Sequence, residues 1–472
     1  MPGTKLHLGA GALVMGAVLA LPGAAAAQSK QVTFSKDVSP ILQAKCQSCH
    51  EPGSIGPMSL VTYQDARPWA RSIKTRVESR QMPPWHVDRS VGVTHFKNDM
   101  SLSDEQVATI VAWVDGGAVE GNPADFKAKP ITKDLYWQAE RDGLGKPDIV
   151  ITAPLQTMPA VHQDVWWRPV NDIPVTEPRW VKAVEIRPSN LQGRKILHHS
   201  IAYHILRPDN VAAVNQGVQV ARGVSFSGSA APSAADLVNR RPQLMEWAIG
   251  KGYDRYMEGT GKLIMPGEKI SWDQHIHAAG EEVTSSSEIG LWLYPKGQEP
   301  TKRSYLVGFT GLKNGTEGLD IPPNAVAYTE GFNVLKENTI ITNFQPHFHL
   351  RGKAMLVEAI LPNGVTQTVS YVKDFNFNWM TNYIYTDDAA PVFPKGTIIH
   401  VKAWFDNTKA NKSNPDPEQW VGWGDRTVDE MCHAWMNVVY LTDAEYQDRV
   451  AKYGVGVTNG VKPGSTGTQQ QQ

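Results

Sequence analysis

The pattern of hydrophobic and polar positions changes at Pro130. Before it, apolar residues recur at helical spacing in a segment that a capping-box sequence, Ser103–Gln106, precedes and Gly116–Gly117 ends. The apolar positions of this segment are Val107, Ile110, Val111 and Val114. An earlier helix is predicted to begin at Ser39–Pro40, with Ser39 as its cap, because proline is favoured in the first helical turn. The first part of the chain is therefore predicted to be all-α.

After Pro130, short alternating runs are separated by Pro, Gly and Asn turns, which predicts β-strands. The clearest runs are Lys182–Arg187, Ile196–Leu206, Lys269–His277, Thr342–Leu350 and Thr397–Phe405. Many short strands at this spacing favour all-β sandwiches or jelly rolls. A Gly-, Ser- and Ala-rich stretch at 222–235 is predicted to be a surface loop, and 455–472 a disordered tail.

The N-terminus has the pattern of a secretory signal peptide over residues 1–27. An apolar stretch from Leu8 to Leu21 is followed by a Pro-Gly break and by small residues at Ala24–Ala27. A membrane anchor is the alternative, but the stretch is short for a span. We therefore expect cleavage and export, to the bacterial periplasm, with no stable membrane insertion. The formal net charge of -1 gives no field that would attract nucleic acid, so no nucleic-acid partner is expected.

Two of the three cysteines lie in the sequence Cys46-Gln47-Ser48-Cys49-His50. C-x-x-C-H is the attachment pattern of c-type haem, in which two thiols bond one porphyrin and the next histidine ligates the iron. A redox dithiol or half of a zinc site is the alternative, but the chain has no second cysteine pair. With the helices around it, the segment 31–122 resembles a small class I cytochrome c domain carrying one covalent haem c.

The second axial ligand of this haem is expected to be Met82. It lies in an Arg-Gln-Met-Pro-Pro-Trp-His sequence like the Met-Pro loop of cytochromes c, and a thioether ligand would raise the haem potential. Met58 and His86 remain as rivals.

Histidine carries the candidate chemistry of the sheet region. Three clusters stand on predicted strands: His198-His199, with His204 nearby; His275-Ile276-His277; and His347-Phe348-His349. Residues two apart share one face of a strand, so each H-x-H offers two nitrogens to one metal. Imidazole-rich sets with few carboxylates suit copper or zinc. His198 and His199 should point to opposite faces, and can share one metal only if the strand bends or bulges there.

These residues resemble a known family. The motifs Leu197–Ser200, Gln274–His277, Gln345–His349 and Asp429–Cys432 occur in the order found in the copper type II, ascorbate-dependent monooxygenases. That family includes peptidylglycine alpha-hydroxylating monooxygenase and dopamine beta-monooxygenase. The sequence from Asp406 through Asn414-Pro415-Asp416-Pro417 to Trp423-Gly424 is similar to its bacterial branch, in which a cytochrome c domain is often fused. The resemblance covers about residues 148–450.

The resemblance implies two β-sandwich domains, 148–300 and 305–450, each with one copper ion. It implies an electron-transfer copper on His198, His199 and His275, and an oxygen-binding, catalytic copper on His347, His349 and Met431. His204, His277 and His433 would have no ligand role. The implied activity is hydroxylation of a C–H bond of a small organic substrate with O2. Electrons would come through the fused haem from a periplasmic donor, or from an ascorbate-like reductant.

The chain also departs from the family. Cys432 follows the methionine ligand where animal members have a disulfide cysteine, but Cys46 and Cys49 are committed to haem, so a buried free thiol is expected. Gln345 stands where the peptide hydroxylase has an arginine that helps to hold the substrate carboxylate. His433 and Trp435 stand at positions that contact the peptide there. A peptidyl-glycine substrate is therefore not expected.

Two other classes of function are alternatives. One is a periplasmic haem and copper electron-transfer or copper-handling protein without hydroxylase activity. The other is a haem-tethered jelly-roll binding module whose histidines are structural. A blue-copper enzyme is less favoured, because its site needs a cysteine thiolate and Cys432 is the one free candidate.

Overall fold

The structure is a computed structural model that describes residues 31–52, 56–128, 135–205, 243–248, 250–313, 318–424 and 426–460. The predicted signal peptide, the predicted loop at 222–235 and residues 461–472 of the predicted tail lie outside these ranges. Within them, no helix combines the length and the apolar character that a membrane crossing requires.

The described elements between residues 34 and 115 are helices and helical turns, apart from isolated β-bridges at Val87 and Phe96. The α-helices are α1 (Ser39–Lys45), α2 (Tyr63–Ala66), α3 (Ala70–Glu78) and α4 (Asp104–Asp115), with a π turn at Phe34–Val38 and a 3-10 turn at Arg67–Trp69. They enclose a core that includes Phe34, Leu42, Ile110 and Trp113.

Both helix starts named from the sequence are present, but the two caps differ. At α4 the Ser103 hydroxyl accepts from the Gln106 N–H at 3.2 Å, and the Gln106 side chain accepts from the Ser103 N–H at 3.0 Å. The predicted capping box is therefore confirmed. At α1, Pro40 lies in the first turn as expected, but Ser39 does not cap the helix, because its hydroxyl donates to the Ser35 carbonyl.

The rest of the described chain is mostly β-sheet, in several sheets. A first sheet unit contains two main sheets. One has the order β1-β12-β5-β9-β13, with β8 on β5, and the other the order β3-β10-β6-β7, with β4 on β10; β2 and β11 form a separate pair. The strands are β1 (Ile149–Thr152), β2 (Gln156–Met158), β3 (Val165–Trp167), β4 (Val170–Asp172), β5 (Arg179–Pro188), β6 (Leu197–Ile205), β7 (Gln243–Ala248), β8 (Tyr253–Arg255), β9 (Thr260–Ile264), β10 (Lys269–Ile276), β11 (Val283–Ser285), β12 (Ser287–Leu293) and β13 (Lys302–Arg303).

A second sheet unit also contains two main sheets. Their orders are β21-β18-β25-β17-β22, with β14 on β25, and β16-β23-β19-β20; β15 and β24 form a small pair. The strands are β14 (Tyr305–Thr310), β15 (Asp320–Ile321), β16 (Val326–Val334), β17 (Asn338–Ile341), β18 (Asn343–His347), β19 (Gly352–Ile360), β20 (Thr366–Val372), β21 (Tyr383–Ile384), β22 (Val392–Phe393), β23 (Ile398–Asp406), β24 (Val421–Gly422) and β25 (His433–Leu441). All five strand runs named from the sequence are confirmed as strands, within a few residues at each end.

In each unit the two main sheets share one hydrophobic core, as β-sandwich packing requires. In the first unit, Val184 and Leu291 of one sheet are buried with Ile270 and Trp272 of the other. In the second unit, residues of both sheets form one cluster that includes Phe344, Met436, Val357 and Val401.

The predicted helical segment is tied to the second unit. Trp85, Val87, Val93 and Phe96 belong to the hydrophobic core of that unit. Val87 forms an isolated antiparallel bridge with Val372, and Phe96 one with Tyr385. The predicted boundary at 31–122 therefore includes a strap, residues 85–96, whose packing partners lie in the C-terminal sheets.

Two features near the C-terminus differ from expectation. Residues Asp443–Tyr453 form a further helix, α5, which begins at a capping box of Thr442 and Glu445. Residues 455–460 pack on the rest of the protein. Gly456 forms a β-bridge with Val392, and the Asn459 side chain accepts from the Thr94 N–H at 2.9 Å. The predicted disorder at 455–472 is therefore wrong for its first six residues.

A buried polar network joins the two sheet units. The Gln345 amide donates to Glu246 at 3.1 Å, and the Asn382 amide donates to Asp254 at 2.6 Å. Lys251 lies between the two carboxylates, 2.7 Å from Glu246 and 3.3 Å from Asp254. All five residues are buried. The two units are thus connected by hydrogen bonds as well as by the chain.

Candidate metal centre

Three histidines predicted as ligands of one ion come together on the neighbouring strands β6 and β10. One ring nitrogen from each of His198, His199 and His275 lies within 4.8 Å of the others. In the strand register His199 pairs with His275, but the next pair is Leu197 with Ile276, so His198 is an extra residue in β6. This is a β-bulge, and it turns two adjacent histidines toward one point. The bend that the sequence required is present.

The ring geometry of this cluster is compact. The Nδ1 atoms of His198 and His199 lie 3.2 Å apart. The ring centroid of His275 lies 5.1 Å from that of His198 and 5.0 Å from that of His199. Three imidazoles at such distances form a set that a copper or zinc ion fits.

His275 is held in one orientation. Its Nε2 lies 2.8 Å from an Asp164 carboxylate oxygen, and its ring stacks on Trp166 at 4.6 Å with an interplanar angle of 5°. Its Nδ1 is buried and makes no hydrogen bond within the described residues. An Nε2–H that donates to a carboxylate leaves Nδ1 as the lone-pair nitrogen, which is the usual arrangement of a metal-ligating histidine.

Two histidines of this cluster, His198 and His199, favour the neutral form. Burial lowers the pKa of His198 to about 3, with a further contribution from the neighbouring imidazoles of His275 and His277. Burial and the same kind of repulsion hold the pKa of His199 well below its ordinary value. Neutral imidazole is the form that binds a metal ion, so His198 and His199 need no proton release near neutral pH to accept one.

The second predicted pair lies at the end of β18. The ring centroids of His347 and His349 lie 5.5 Å apart. His349 Nδ1 lies 3.0 Å from the Asp429 carbonyl oxygen, so an Nδ1–H donates to it and Nε2 is the nitrogen left for a metal. Phe344 and Phe348 are fully buried on the opposite side, as the strand alternation predicted.

Met431 is held at the same corner. It lies two residues before His433, which pairs with His347 across β18 and β25. The buried carboxyl of Glu430 accepts from the His349 N–H at 2.9 Å and from the Met431 N–H at 3.3 Å. Glu430 therefore holds the backbone at His349 and the backbone at Met431 together.

A fully buried arginine supports the segment that leads to Met431. Arg351 Nε donates to the Asn407 side chain at 2.8 Å, and its guanidinium donates to the Val428 carbonyl at 2.9 Å. The Asn407 amide donates in turn to the carbonyls of Pro322 and Gln419, both at 2.8 Å. The Arg351 guanidinium thus connects both ends of the segment 407–430 to the start of β19, which follows His349.

The two histidine clusters are neighbours in the structure. The charge of His349 contributes to the lowered pKa values of both His198 and His199, and that of His199 to the lowered pKa of His347. Phe377, from the loop after β20, stacks on His198 at 5.0 Å. Contacts of the second sheet unit therefore reach the cluster of the first.

The histidines expected to have no ligand role differ in their surroundings. His204 Nε2 lies 2.6 Å from a Glu268 carboxylate oxygen, so this residue is held by a structural hydrogen bond. The ring of His277 lies 6.3 Å from that of His198. The ring of His433 lies 6.3 Å from that of His347 and 5.6 Å from that of Trp435.

The haem motif follows α1 in a tight turn, where the His50 N–H donates to the Cys46 carbonyl at 3.0 Å. His50 Nδ1 lies 3.1 Å from the Met58 carbonyl oxygen, so Nδ1–H donates there and Nε2 is available to ligate iron. Both thiols are half-buried, and burial raises the pKa of Cys46 to about 12. The residues therefore fit a c-type haem.

A solvent-open cleft of about 150 Å³ adjoins the motif. Cys49, Pro84, Trp85 and Met100 line its side toward the helices. Met82 directly precedes the lining segment, whereas Met58 supplies its carbonyl to His50 and so lies on the His50 side. Met82 stays the predicted sixth ligand, and Met100 is a further candidate that the sequence did not single out, because no Met-Pro pattern marks it.

The departures from the family pattern also have places in the structure. Cys432 is a free thiol and is fully buried, which agrees with the expectation, and burial raises its pKa. Gln345 is 1% exposed, and its amide is bonded to Glu246. The Gln345 side chain therefore helps to join the two sheet units.

Sequence patterns missed the residues that orient the ligands. Asp164, Trp166 and Phe377 each contact a predicted ligand from another strand or loop. No local pattern marks such residues, because the contacts depend on tertiary pairing over a long stretch of chain.

Comparisons with known proteins assign no family. No family model matches the sequence, and no curated protein matches it. Among solved structures, the chain is similar to PNGF-II in a C2 crystal form, at 10% identity over 58% of this chain and 58% of that chain, with a TM-score of 0.23. For recombinant N-glycanase F (PNGase F) the identity is 7% over 62% of this chain and 96% of that chain, with a TM-score of 0.23. For infectious bursal disease virus, Gx strain, it is 9% over 62% and 72%, with a TM-score of 0.14. Likeness at this level carries no inference about function.

Proposed function

We propose that this chain is an exported, copper-dependent monooxygenase that hydroxylates a C–H bond of a small organic substrate, with electrons supplied through a fused c-type haem. The overall reaction joins R–H, O2, two electrons and two protons to give R–OH and water. The proposal includes a cytochrome c domain in the helical part, two sandwich domains after it, and membership of the copper type II monooxygenase family.

One observation carries the proposal. A bulge in β6 brings the Nδ1 atoms of His198 and His199 to 3.2 Å beside a buried, unbonded Nδ1 of His275. A buried nitrogen without a hydrogen-bond partner lowers the stability of the fold. A metal ion bound by the three imidazoles would give the His275 Nδ1 a partner and so account for its burial. The neighbouring pair His347 and His349 offers the start of a second site.

In the first site, the chain's part is to position three imidazoles. Asp164 selects the tautomer of His275 by accepting from its Nε2–H, and Trp166 fixes the plane of that ring. Because the ligands come from two hydrogen-bonded strands, their separation is set by the sheet and changes little. A rigid ligand set suits an ion that only gains and loses one electron.

In the second site, the set is two imidazoles and one thioether. The Asp429 carbonyl fixes the tautomer of His349, and Glu430 holds the backbones of His349 and Met431 together. A soft thioether favours Cu(I), so copper bound there would supply the reduced metal that O2 activation requires. The remaining role of the chain is to hold the substrate beside this site and to limit water there.

The substrate class follows from what the chain lacks at the second site. Gln345, buried and bonded to Glu246, offers no charge to a substrate carboxylate. His433 and Trp435 place an imidazole and an indole beside His347 instead. These groups favour a neutral or aromatic small molecule over a peptide with a free carboxylate.

The test is substrate-dependent oxygen uptake by copper-loaded, haem-reduced protein, with product mass measured in parallel. We expect a product one oxygen atom heavier than its substrate, and no such product from Met431→Ala or from copper-free protein. Asn363→Ala, in an exposed turn, is the control that should keep full turnover. Retained hydroxylation by Met431→Ala would exclude this site.

An electron-transfer protein that binds both metals without hydroxylating is the second candidate. Phe377 covers one side of His198, and a site that only passes electrons needs no open coordination position. This candidate predicts full metal content and reversible haem oxidation, with no oxygenated product from any substrate.

A further inference from the structure

The cleft beside the haem motif has a second wall, which belongs to the sheet units. Two indoles of that wall, Trp247 and Trp379, line the cleft together with Cys49 and Trp85. A porphyrin bonded to Cys49 would therefore lie beside the cleft that these two tryptophans line.

From Trp379, a short loop leads to the first histidine cluster. Phe377 lies two residues earlier in the chain and stacks on His198 at 5.0 Å, with an interplanar angle of 25°. The Trp379 N–H donates to the Asn376 carbonyl at 2.9 Å, and the Asn378 N–H donates to the Asn376 side chain at 3.0 Å. These bonds form a tight turn in the segment that carries both rings.

The loop is also packed against the first sheet unit. A Cβ added to Gly250, whose φ is +90°, would lie 2.9 Å from the Trp379 Cα. Close backbone approach at a positive φ requires glycine, so the fit of Gly250 against Trp379 is specific. The phenyl ring on His198 and the indole in the cleft are thus held in a fixed relation.

Trp247 makes a second connection through the sheet. It lies in β7, which pairs with β6, and it is directly opposite Ser200, while Ala248 is opposite His199. Backbone hydrogen bonds of this ladder join the segment of Trp247 to the segment of His199. Each indole of the cleft wall is therefore linked to a histidine of the first cluster, Trp379 through the ring of Phe377 and Trp247 through the strand pairing.

We propose that Trp379 and Phe377, with Trp247 beside them, form the route by which electrons pass from the haem to the His198, His199 and His275 site. This inference rests on the proposed metal content but not on hydroxylation. In each transfer ferrous haem loses one electron and becomes ferric, and a cupric ion in the three-histidine site gains it and becomes cuprous. No bond or proton changes place. Tethering of donor and acceptor in one chain keeps the two centres at a high effective concentration.

The experiment measures electron transfer inside the intact holoprotein. Oxidised, copper-loaded protein is mixed in the absence of O2 with less than one equivalent of a rapid reductant that reduces the haem. Loss of the ferrous haem absorbance and loss of the cupric EPR signal are then followed together. We expect both to decay at one rate in wild type, and ferrous haem to persist in copper-free protein.

The variants Phe377→Leu and Trp379→Leu should slow this decay severalfold, with unchanged haem absorbance and cupric EPR spectra at the start. Trp247→Leu should give a smaller effect. Trp69→Leu, which alters an exposed indole of the helical part, is the matched control and should keep the wild-type rate. Phe377→Tyr and Trp379→Phe keep an aromatic ring and should restore most of the rate, which separates the route from a folding defect.

Wild-type rates in both Phe377→Leu and Trp379→Leu would overturn the route, as would the lack of any copper-dependent decay in wild type. Copper-dependent decay with the expected variant effects, but without an oxygenated product from any substrate, would support the route and overturn the proposed hydroxylase.

Discussion

His198 and His199 are neighbours in one strand, yet their Nδ1 atoms lie 3.2 Å apart. In a regular strand the two side chains would point to opposite faces of the sheet. The bulge at His198 removes this alternation at one position, and the register with β10 is regular from His199 to Ile205. A local irregularity of this kind next to buried imidazoles is typical of a functional site.

His198→Ala should remove the first copper ion and leave the second. The substitution deletes one of three imidazoles, and the remaining two offer too few ligands to retain an ion through dialysis. Elemental analysis and EPR of dialysed protein should show about half of the wild-type copper. His277→Ala is the matched control, because its ring lies 6.3 Å from that of His198 and has no predicted ligand role. Equal copper loss in both variants would contradict the ligand set.

Asn407→Ala should weaken the second copper site without a change to any ligand. The side chain of Asn407 bonds Arg351 and two carbonyls, and each buried group left unpaired costs about 1–3 kcal/mol. The segment that ends at Met431 should therefore loosen. Competition with a Cu(I) chelator should show lower affinity at this site and unchanged affinity at the three-histidine site. Asn363→Ala serves as the control, and an unchanged second-site affinity would refute the supporting role.

The sixth haem ligand is tested by a pair of methionine variants. If Met82 ligates the iron, Met82→Ala should lower the haem potential and alter the visible spectrum, since loss of a thioether ligand removes its stabilisation of ferrous iron. Met100→Ala should then leave both unchanged. The reverse result would assign the ligand to Met100, which lines the cleft beside Cys49. A spectrum unaltered in both variants would favour His86.

The sequence predicted five of the longer strands and the places of the candidate ligands on them, because both depend on local alternation. The positions of His275 and His347 on their strand faces follow from a period of two residues. The sequence indicated that a bulge was needed near His198, because two adjacent histidines of a strand can bind one ion only if the strand bulges between them. The capping box at Ser103 was visible for the same local reason.

The rest depends on contacts between distant parts of the chain. Asp164 orients His275 from 111 residues away, and Gln345 binds Glu246 from 99 residues away. The apolar residues of the strap 85–96 could pack against any hydrophobic surface. The sequence therefore did not predict that they pack against the second sheet unit. The helix α5 was not predicted, although Thr442 and Glu445 form a capping box, because the chain before it has the alternating pattern of strands.

Lys251→Met should destabilise the contact between the two sheet units strongly. The ammonium lies between Glu246 and Asp254, and removal of one partner of a buried ion pair costs about 3–5 kcal/mol. Urea unfolding followed by tryptophan fluorescence should show this loss. Lys269→Met, at an exposed pair with Asp172, should cost less than about 1 kcal/mol. Similar losses for both lysines would show that the buried network contributes little.

The stability of the protein should fall as pH rises toward 8, through Glu185. Burial raises the pKa of this carboxyl to about 7 from its ordinary value of 4.5, against the opposing effect of the Ala139 and Gln138 N–H groups that donate to it. Because the folded pKa is above the unfolded one, the stabilisation is complete below 4.5 and is lost as pH rises through 7. The loss approaches about 3 kcal/mol at most, from the difference between the two pKa values.

Glu185→Gln separates this effect from other titrating groups. Glutamine is neutral at every pH and gives up one acceptor, so the variant should have a constant cost in unfolding free energy. The difference in unfolding free energy between wild type and variant should therefore shift in favour of the variant from about pH 5 to about pH 8. Urea unfolding of both proteins across this range measures the shift. A difference that does not depend on pH would mean that Glu185 is ionised throughout, held as a carboxylate by the two backbone N–H groups that it binds.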